Sequence, residues 1–197
     1  MPISDMDIPE AKKLFDLNVW SYLEMTQAFI PLLMKSKGMI VNQTSIAGAT
    51  PIPFQSAYNA SKAAMAMFSE IMSLELAPFG IKVVELKTGG VASTIYAKNY
   101  ANREEQRLPE GSIYESVREV VERSMSNEEL EKGVMDQKAW AEATVRDLLR
   151  EKPKPVIWRG ANAALVRFST VMPYGWFHGM VKKMFALDVV ERMIAGK

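Results

Sequence analysis

The strongest constraint on this chain's fold is an alternation of long helical patterns with short apolar runs. From Ile8 to Ser36, Leu14, Leu17, Tyr22, Met25, Phe29, Leu32 and Leu33 recur at three and four, the spacing of one helix face. Pro31 falls inside that run and lacks the donor a helix interior needs, which predicts a kink or break there. "GMIVNQTS" follows as a buried strand ending at a polar tip. Gly48, Pro51 and Pro53 mark a loop. Ser56 is expected to cap a helix that runs to about Ala77, where Pro78 and Gly80 punctuate its end. "IKVVELK" is a second strand. "DQKAWAEATVRDLLREK" is an amphipathic helix, "KPVIWRG" a third strand, and the apolar residues from Ala161 onward are helical. Helix and strand taking turns implies an α/β fold with a parallel sheet and crossover helices.

Several functional classes are excluded by composition. The 24 basic and 23 acidic residues give a net charge of +1, so nothing electrostatic favours a nucleic acid or acidic partner. There is no cysteine, hence no disulfide, no thiolate nucleophile and no cysteine metal site. The one histidine, His178, has no neighbouring ligands in sequence, and no metal site is expected. The first residues, "MPISDMDIPEAKKLF", lack the basic-then-apolar order of a signal peptide.

The chemistry is concentrated between Val41 and Met65. In an open α/β sheet, ligands sit beyond the carboxyl ends of the strands. Ser45 ends the first strand, and Thr88 to Thr94 follow the end of the second. Tyr58 and Lys62 are four apart and share one helix face just past that crevice. A phenol titrates near ~10, too high for efficient proton transfer at neutral pH, and a nearby ammonium favours the phenolate. Lys62 is spaced to supply that charge, and Ser45 can hydrogen-bond a carbonyl or alkoxide oxygen. Such a set exchanges a proton at oxygen, as in carbonyl reduction or alcohol oxidation.

With the serine at that strand end, the pattern resembles the short-chain dehydrogenase/reductase family. "YNASKAA" is similar to its active-site helix and "IVNQTSIAG" to its serine strand. "FDLNVWSYLEMTQAFIPLL" is similar to the helix that places an asparagine, here Asn18, in the proton relay. "TGGVAST" resembles the loop over the nicotinamide, with Thr88 where the family usually has proline. The run as a whole is closest to fungal acyl-dihydroxyacetone-phosphate reductase-like members. The resemblance implies a Rossmann-like domain and the catalytic residues Asn18, Ser45, Tyr58 and Lys62. It also implies cofactor contacts from Tyr58, Lys62, Val91 and Ser93, with NADP as the cofactor. The substrate would be a lipophilic carbonyl or alcohol of lipid or secondary metabolism.

The family's glycine-rich turn, whose amides hold the pyrophosphate, has no counterpart in the glycine spacing of this chain. Residues 1–197 therefore read as one truncated Rossmann-like domain, the C-terminal half, with about three strands and flanking helices. Two alternatives stay open: a redox-inactive relative that binds a ligand or does non-redox chemistry, and a chain that pairs with a full-length homologue. The resemblance implies a homo-oligomer or pairing with a relative through the long helices. It further implies a cytoplasmic protein, with peripheral association at the endoplasmic reticulum or lipid droplets. The tail "WFHGMVKKMFAL" fits either a membrane interface or packing on the sheet. The charged stretch Asn102–Lys132 reads as a solvated helical excursion near the cleft.

Overall fold

The computed structural model describes residues 1–94, 107–126 and 133–196. Three parallel strands form its sheet, β1 (Met39–Ser45), β2 (Lys82–Thr88) and β3 (Val156–Arg159), in spatial order β1-β2-β3. The register pairs Met39 with Lys82 and Ser45 with Thr88, so the first two strands finish level at the same edge. Glu85 pairs with Val156 and Thr88 with Arg159. The α/β class expected from the alternation is the class observed.

One face of the sheet is covered by α2 (Ser21–Ser36) and α3 (Ser56–Leu76). Met65, Met72 and Val83 are buried there, with Tyr22, Leu23, Ile40 and Phe68 packed around them. On the other face, α5 (Gln137–Leu148) lays Trp140 and Leu148 over Val84, Leu86 and Ile157. Asp136 caps α5 by accepting from the Ala139 amide at 2.9 Å, satisfying one of the donors a helix start leaves open.

The α3 face also carries a polar column. Asn42 donates to Ser69 Oγ at 3.0 Å, and Thr44 donates to Glu85 at 2.7 Å. Lys87 meets the same Glu85 oxygen at 2.6 Å and lies 5.4 Å from the centre of the Trp158 ring. A buried charge pair is tolerable when its remaining donors and acceptors are occupied, and this one is pinned from all three strands.

Three sequence expectations need correction. The first long helix does not break at Pro31. α2 runs through it, because Pro31 and Gln27, whose carbonyl loses its partner to the ring, are both exposed and water can serve that carbonyl. The irregularity lies one segment earlier. Between α1 (Ile8–Phe15) and α2, the turn Asp16–Trp20 is a π-helix. There the Ser21 amide donates to Asp16 O, and the Ser21 hydroxyl donates at 2.6 Å to Leu17 O, the carbonyl that the wider turn bypasses.

Ser56 is not the cap of α3. Gln55 occupies that position and makes no side-chain cap bond, while Ser56 is already helical and its hydroxyl lies 3.8 Å from Met6 Sδ. The stretch expected to be solvated is partly a core. Val117, just before α4 (Arg118–Met125), joins Val121 and Met125 of that helix in burying Leu108 together with Val190 of α6 (Leu187–Ala195). Met1, Phe54 and Tyr114 pack on the same cluster, and Asp5 accepts from Ser112 at 2.7 Å. The other residues of that stretch, 102–106 and 127–132, lie outside the described residues. Phe185 of the tail is buried and its carbonyl accepts from Ser124 at 2.8 Å, so the tail packs on the protein at that residue, while Lys182, Lys183 and Met184 are exposed.

β1 is an outer strand. Gly38 O accepts from Lys82 N, so by the two-residue alternation of a strand the backbone of Met39, Val41 and Gln43 points away from β2. A cleft of about 340 Å³ runs beside this edge, lined by Tyr22, Thr26, Phe29, Ile40 and Val41 among others. Unpaired edges template association. Light scattering on the 197-residue protein should therefore show dimers or larger species. A monodisperse 22.1 kDa monomer with a cooperative melt would contradict this.

Candidate active site

The site is built where β1 ends. Ser45 is buried and its Oγ accepts from the Ala47 amide at 3.1 Å, which fixes the hydroxyl at the first turn of Ile46–Gly48. Among the described residues it donates to no protein group, so its proton is available to an incoming oxygen. The turn rests directly on α3. A Cβ on Gly48 would lie 2.8 Å from the Lys62 carbonyl carbon and 2.9 Å from the Ala63 nitrogen. That is backbone against backbone, and only glycine fits. Asn59 donates at 3.3 Å to Ile52 O and ties down the rest of the loop.

Lys62 is the hub. Its ammonium lies 5.8 Å from the ring centres of both Tyr58 and Tyr22 and 3.4 Å from Gln43 O on the outer edge of β1. Tyr22 donates to the same carbonyl at 3.3 Å. Burial holds the Lys62 ammonium below its ordinary 10.5. Burial first, and then the neighbouring Tyr58, holds the Tyr22 hydroxyl above its ordinary 10.0, so Tyr22 stays a neutral donor. The two phenols beside Lys62 therefore differ in station: Tyr22 is committed to the strand edge, and Tyr58 starts the helix at the crevice.

Asn18 is held by the π turn. Its amide donates to Ser61 Oγ at 3.0 Å, and Ser61 donates at 2.8 Å to Tyr58 O. Thus Asn18 reaches the Tyr58–Lys62 turn of α3 through Ser61, not by contact with Lys62. Beyond β2, Gly90 and Ala161 exchange hydrogen bonds at 3.1 and 2.9 Å. A Cβ on Gly89 would lie 2.1 Å from Ala161 O. Val91 is bridged to Met135, and Ser93 is exposed. The loop that carries them is thereby sewn to both neighbouring segments at the crevice. Thr88 Oγ1, opposite Ser45, is buried with no hydrogen-bond partner among the described residues.

The structure therefore seats the turn after Ser45 on the helix that carries Tyr58 and Lys62, connects Asn18 to that helix through Ser61, and sets Val91 and Ser93 on the loop following β2. Sequence reasoning missed Tyr22, Ser61 and the seat at Gly48. Tyr22 was legible only as one more member of an apolar helix face. Gly48 registered as loop punctuation, because nothing in sequence shows which backbone it touches. Among the described residues no group of three or more His, Asp or Glu could hold a metal ion.

A parallel sheet whose first strand delivers a serine to a tyrosine–lysine helix defines an α/β oxidoreductase-type crevice. The family model for short chain dehydrogenases matches residues 1–105. Over 194 residues the chain is 50% identical to a short-chain dehydrogenase/reductase of Pestalotiopsis microspora, covering 98% of this chain and 67% of that protein. It is 33% identical over 199 residues to the NADPH-dependent 1-acyldihydroxyacetone phosphate reductase of Saccharomyces cerevisiae, with 100% and 64% covered. A solved short-chain dehydrogenase from Streptomyces avermitilis superposes with a TM-score of 0.65 at 22% identity, covering 98% of this chain and 65% of that one. That last likeness speaks to the fold. This chain belongs to the short-chain dehydrogenase/reductase family, and it spans about two thirds of the length of these relatives.

The depressed Lys62 value has a testable sign. Between the lowered folded-state value and the ordinary 10.5, the unfolded chain binds more protons than the folded one, so stability rises with pH through that window. Lys62→Met should abolish this rise while leaving the fold intact at neutral pH. Chemical denaturation across the alkaline range measures it; an identical slope in both proteins would contradict the assignment.

Proposed function

We propose that this chain carries the catalytic half of an NADP-dependent carbonyl reductase, or alcohol dehydrogenase in reverse, acting on a lipophilic small molecule of lipid or secondary metabolism. The observation that carries the reading is the buried Lys62, its ammonium set between two phenol rings, on the helix against which the Ser45 turn is seated. Ser45 donates a hydrogen bond to the substrate oxygen and orients it. Tyr58 gives its hydroxyl proton to that oxygen as the carbonyl carbon is reduced, and Lys62 stabilises the phenolate left behind. Asn18, through Ser61, keeps the first turn of α3 in place for this transfer.

The residues present fit the nicotinamide end of a dinucleotide. Thr88 Oγ1 is a buried polar atom without a partner among the described residues, and Tyr58, Lys62, Val91 and Ser93 would hold the ribose and ring. Bound there, the reduced nicotinamide supplies the hydride. The glycine spacing that cradles a pyrophosphate is not in these 197 residues, so no phosphate contact is assigned. The lipophilic substrate class is supported by the name carried by the S. cerevisiae relative, and that relative's NADPH dependence supports the choice of cofactor.

A second reading, a redox-inactive chain that pairs with a full-length relative, is favoured by the open outer edge of β1. On either reading the 197-residue protein binds NADPH weakly, because the pyrophosphate contacts are not among its residues. NADPH turnover by a chain extended with the segment that supplies them separates the two, and would contradict the second.

The direct test is a chimera that adds the unmatched third of the Pestalotiopsis relative. Its NADPH oxidation with long-chain ketones is then measured with and without Tyr58→Phe. That change removes the transferable proton and keeps the ring, so the rate should fall by about 10²–10⁴-fold. Retention of most of the rate would overturn the role of Tyr58.

A further inference from the structure

The chemistry assigned to the crevice uses one of the two phenols beside Lys62 and leaves the other, Tyr22, without a role. Tyr22 is the second residue of α2, directly after the π turn, and lies four residues beyond Asn18. The α1–α2 unit therefore meets α3 at two consecutive residues. Asn18 donates to Ser61 at 3.0 Å, and the Tyr22 ring centre lies 5.8 Å from the Lys62 ammonium. The Tyr22 hydroxyl donates at 3.3 Å to Gln43 O, and Lys62 reaches that same oxygen at 3.4 Å.

A peptide carbonyl has two lone pairs. On Gln43 O each side chain takes one, and neither contact is tight, since such bonds are usually shorter than ~3.2 Å. The ammonium has three donors, so two of them remain for the crevice. Among the described residues no carboxylate pairs with Lys62. A buried cation without a counter-ion must have its charge met in another way, and here two phenol rings and one shared carbonyl meet it. Burial raises the Tyr22 hydroxyl above its ordinary 10.0, so it competes for Gln43 O as a neutral donor. Without that hydroxyl, Gln43 O is left to Lys62 alone. The ammonium is then drawn to the strand edge and away from Tyr58, whose ring centre lies at the same 5.8 Å.

We propose that Tyr22 is a positioning residue for the proton transfer: by sharing Gln43 O it keeps the Lys62 ammonium between the strand edge and Tyr58 instead of bound to the edge. Phenylalanine at this position would supply the ring without the competing donor, and leucine would supply neither. The catalytic meaning of the contact rests on the reductase reading, whereas its effect on Lys62 exists with or without turnover.

The test is the Lys62 ε-methylene signal in NMR spectra of the 197-residue protein, native and Tyr22→Phe. In the native chain its protons should show nuclear Overhauser contacts to the Tyr22 ring. In the variant the hydrogen bond from the ammonium to Gln43 O strengthens, which favours the charged form, so the titration midpoint should move up toward 10.5. A residue that only fills space would leave the midpoint where it was. The catalytic arm uses the chain extended with the unmatched third of the Pestalotiopsis relative. There Tyr22→Phe should lower kcat by about three- to tenfold, the effect of one hydrogen bond, with KM unchanged. An unmoved midpoint would overturn the proposal whatever the activity. So would native spectra without contacts between Lys62 and Tyr22, a result that needs no variant to fold. A shifted midpoint with kcat unchanged, in an extended chain that loses its rate on Tyr58→Phe, would overturn the positioning role alone. An extended chain indifferent to Tyr58→Phe would instead overturn the reductase reading, and with it the catalytic meaning of Tyr22.

Discussion

Everything at the candidate site depends on one close approach, Gly48 against the backbone of Lys62. The turn after β1 can rest on α3 only because residue 48 has no Cβ; the nearest α3 backbone atom would sit at 2.8 Å. That contact fixes how far the end of β1 stands from the first turns of α3. The strand carries Ser45 and the helix carries Tyr58 and Lys62. Its consequence is electrostatic as well as steric, for the same packing withdraws the Lys62 ammonium from water and lowers its ordinary 10.5. An ammonium next to a phenol favours the phenolate that a proton transfer from it would leave.

The π turn at Asp16–Trp20 is the second fixed point. A regular helix would carry the Ser21 amide to Leu17. Here it goes to Asp16, and the Ser21 hydroxyl takes over Leu17. The extra residue in the turn swings Asn18 to Ser61, tying the α1–α2 unit to the active helix at 3.0 Å. The buried Glu85–Lys87 pair, held by Thr44 and Trp158, stiffens the ends of the same strands from the α3 face.

What sequence could show follows from what is local. The three strands were legible because Ile40-Val41, Val83-Val84 and Val156-Ile157 are short β-branched runs bounded by turn residues. Ser45, Tyr58 and Lys62 were legible because strand end and helix spacing are themselves local signals. The misplaced break shows the limit: Pro31 has the stronger local breaking tendency, yet its freed carbonyl faces water, whereas the turn at Asn18 is decided by a hydroxyl 43 residues away. The stretch around Val117–Met125 read as solvated since charges match its apolar residues in number. They are nevertheless buried by Val190 and Leu108, contacts that no window of sequence contains.

The measurement closest to the centre of this account is an NMR titration of the Lys62 ε-carbon in the native chain and in Gly48→Val. The account predicts a midpoint below 10.5 in the native protein. It predicts a return toward that value in the variant, whose added side chain lifts the turn and lets water reach the ammonium. A native Lys62 titrating at its ordinary value, or a midpoint that Gly48→Val leaves unmoved, would contradict it.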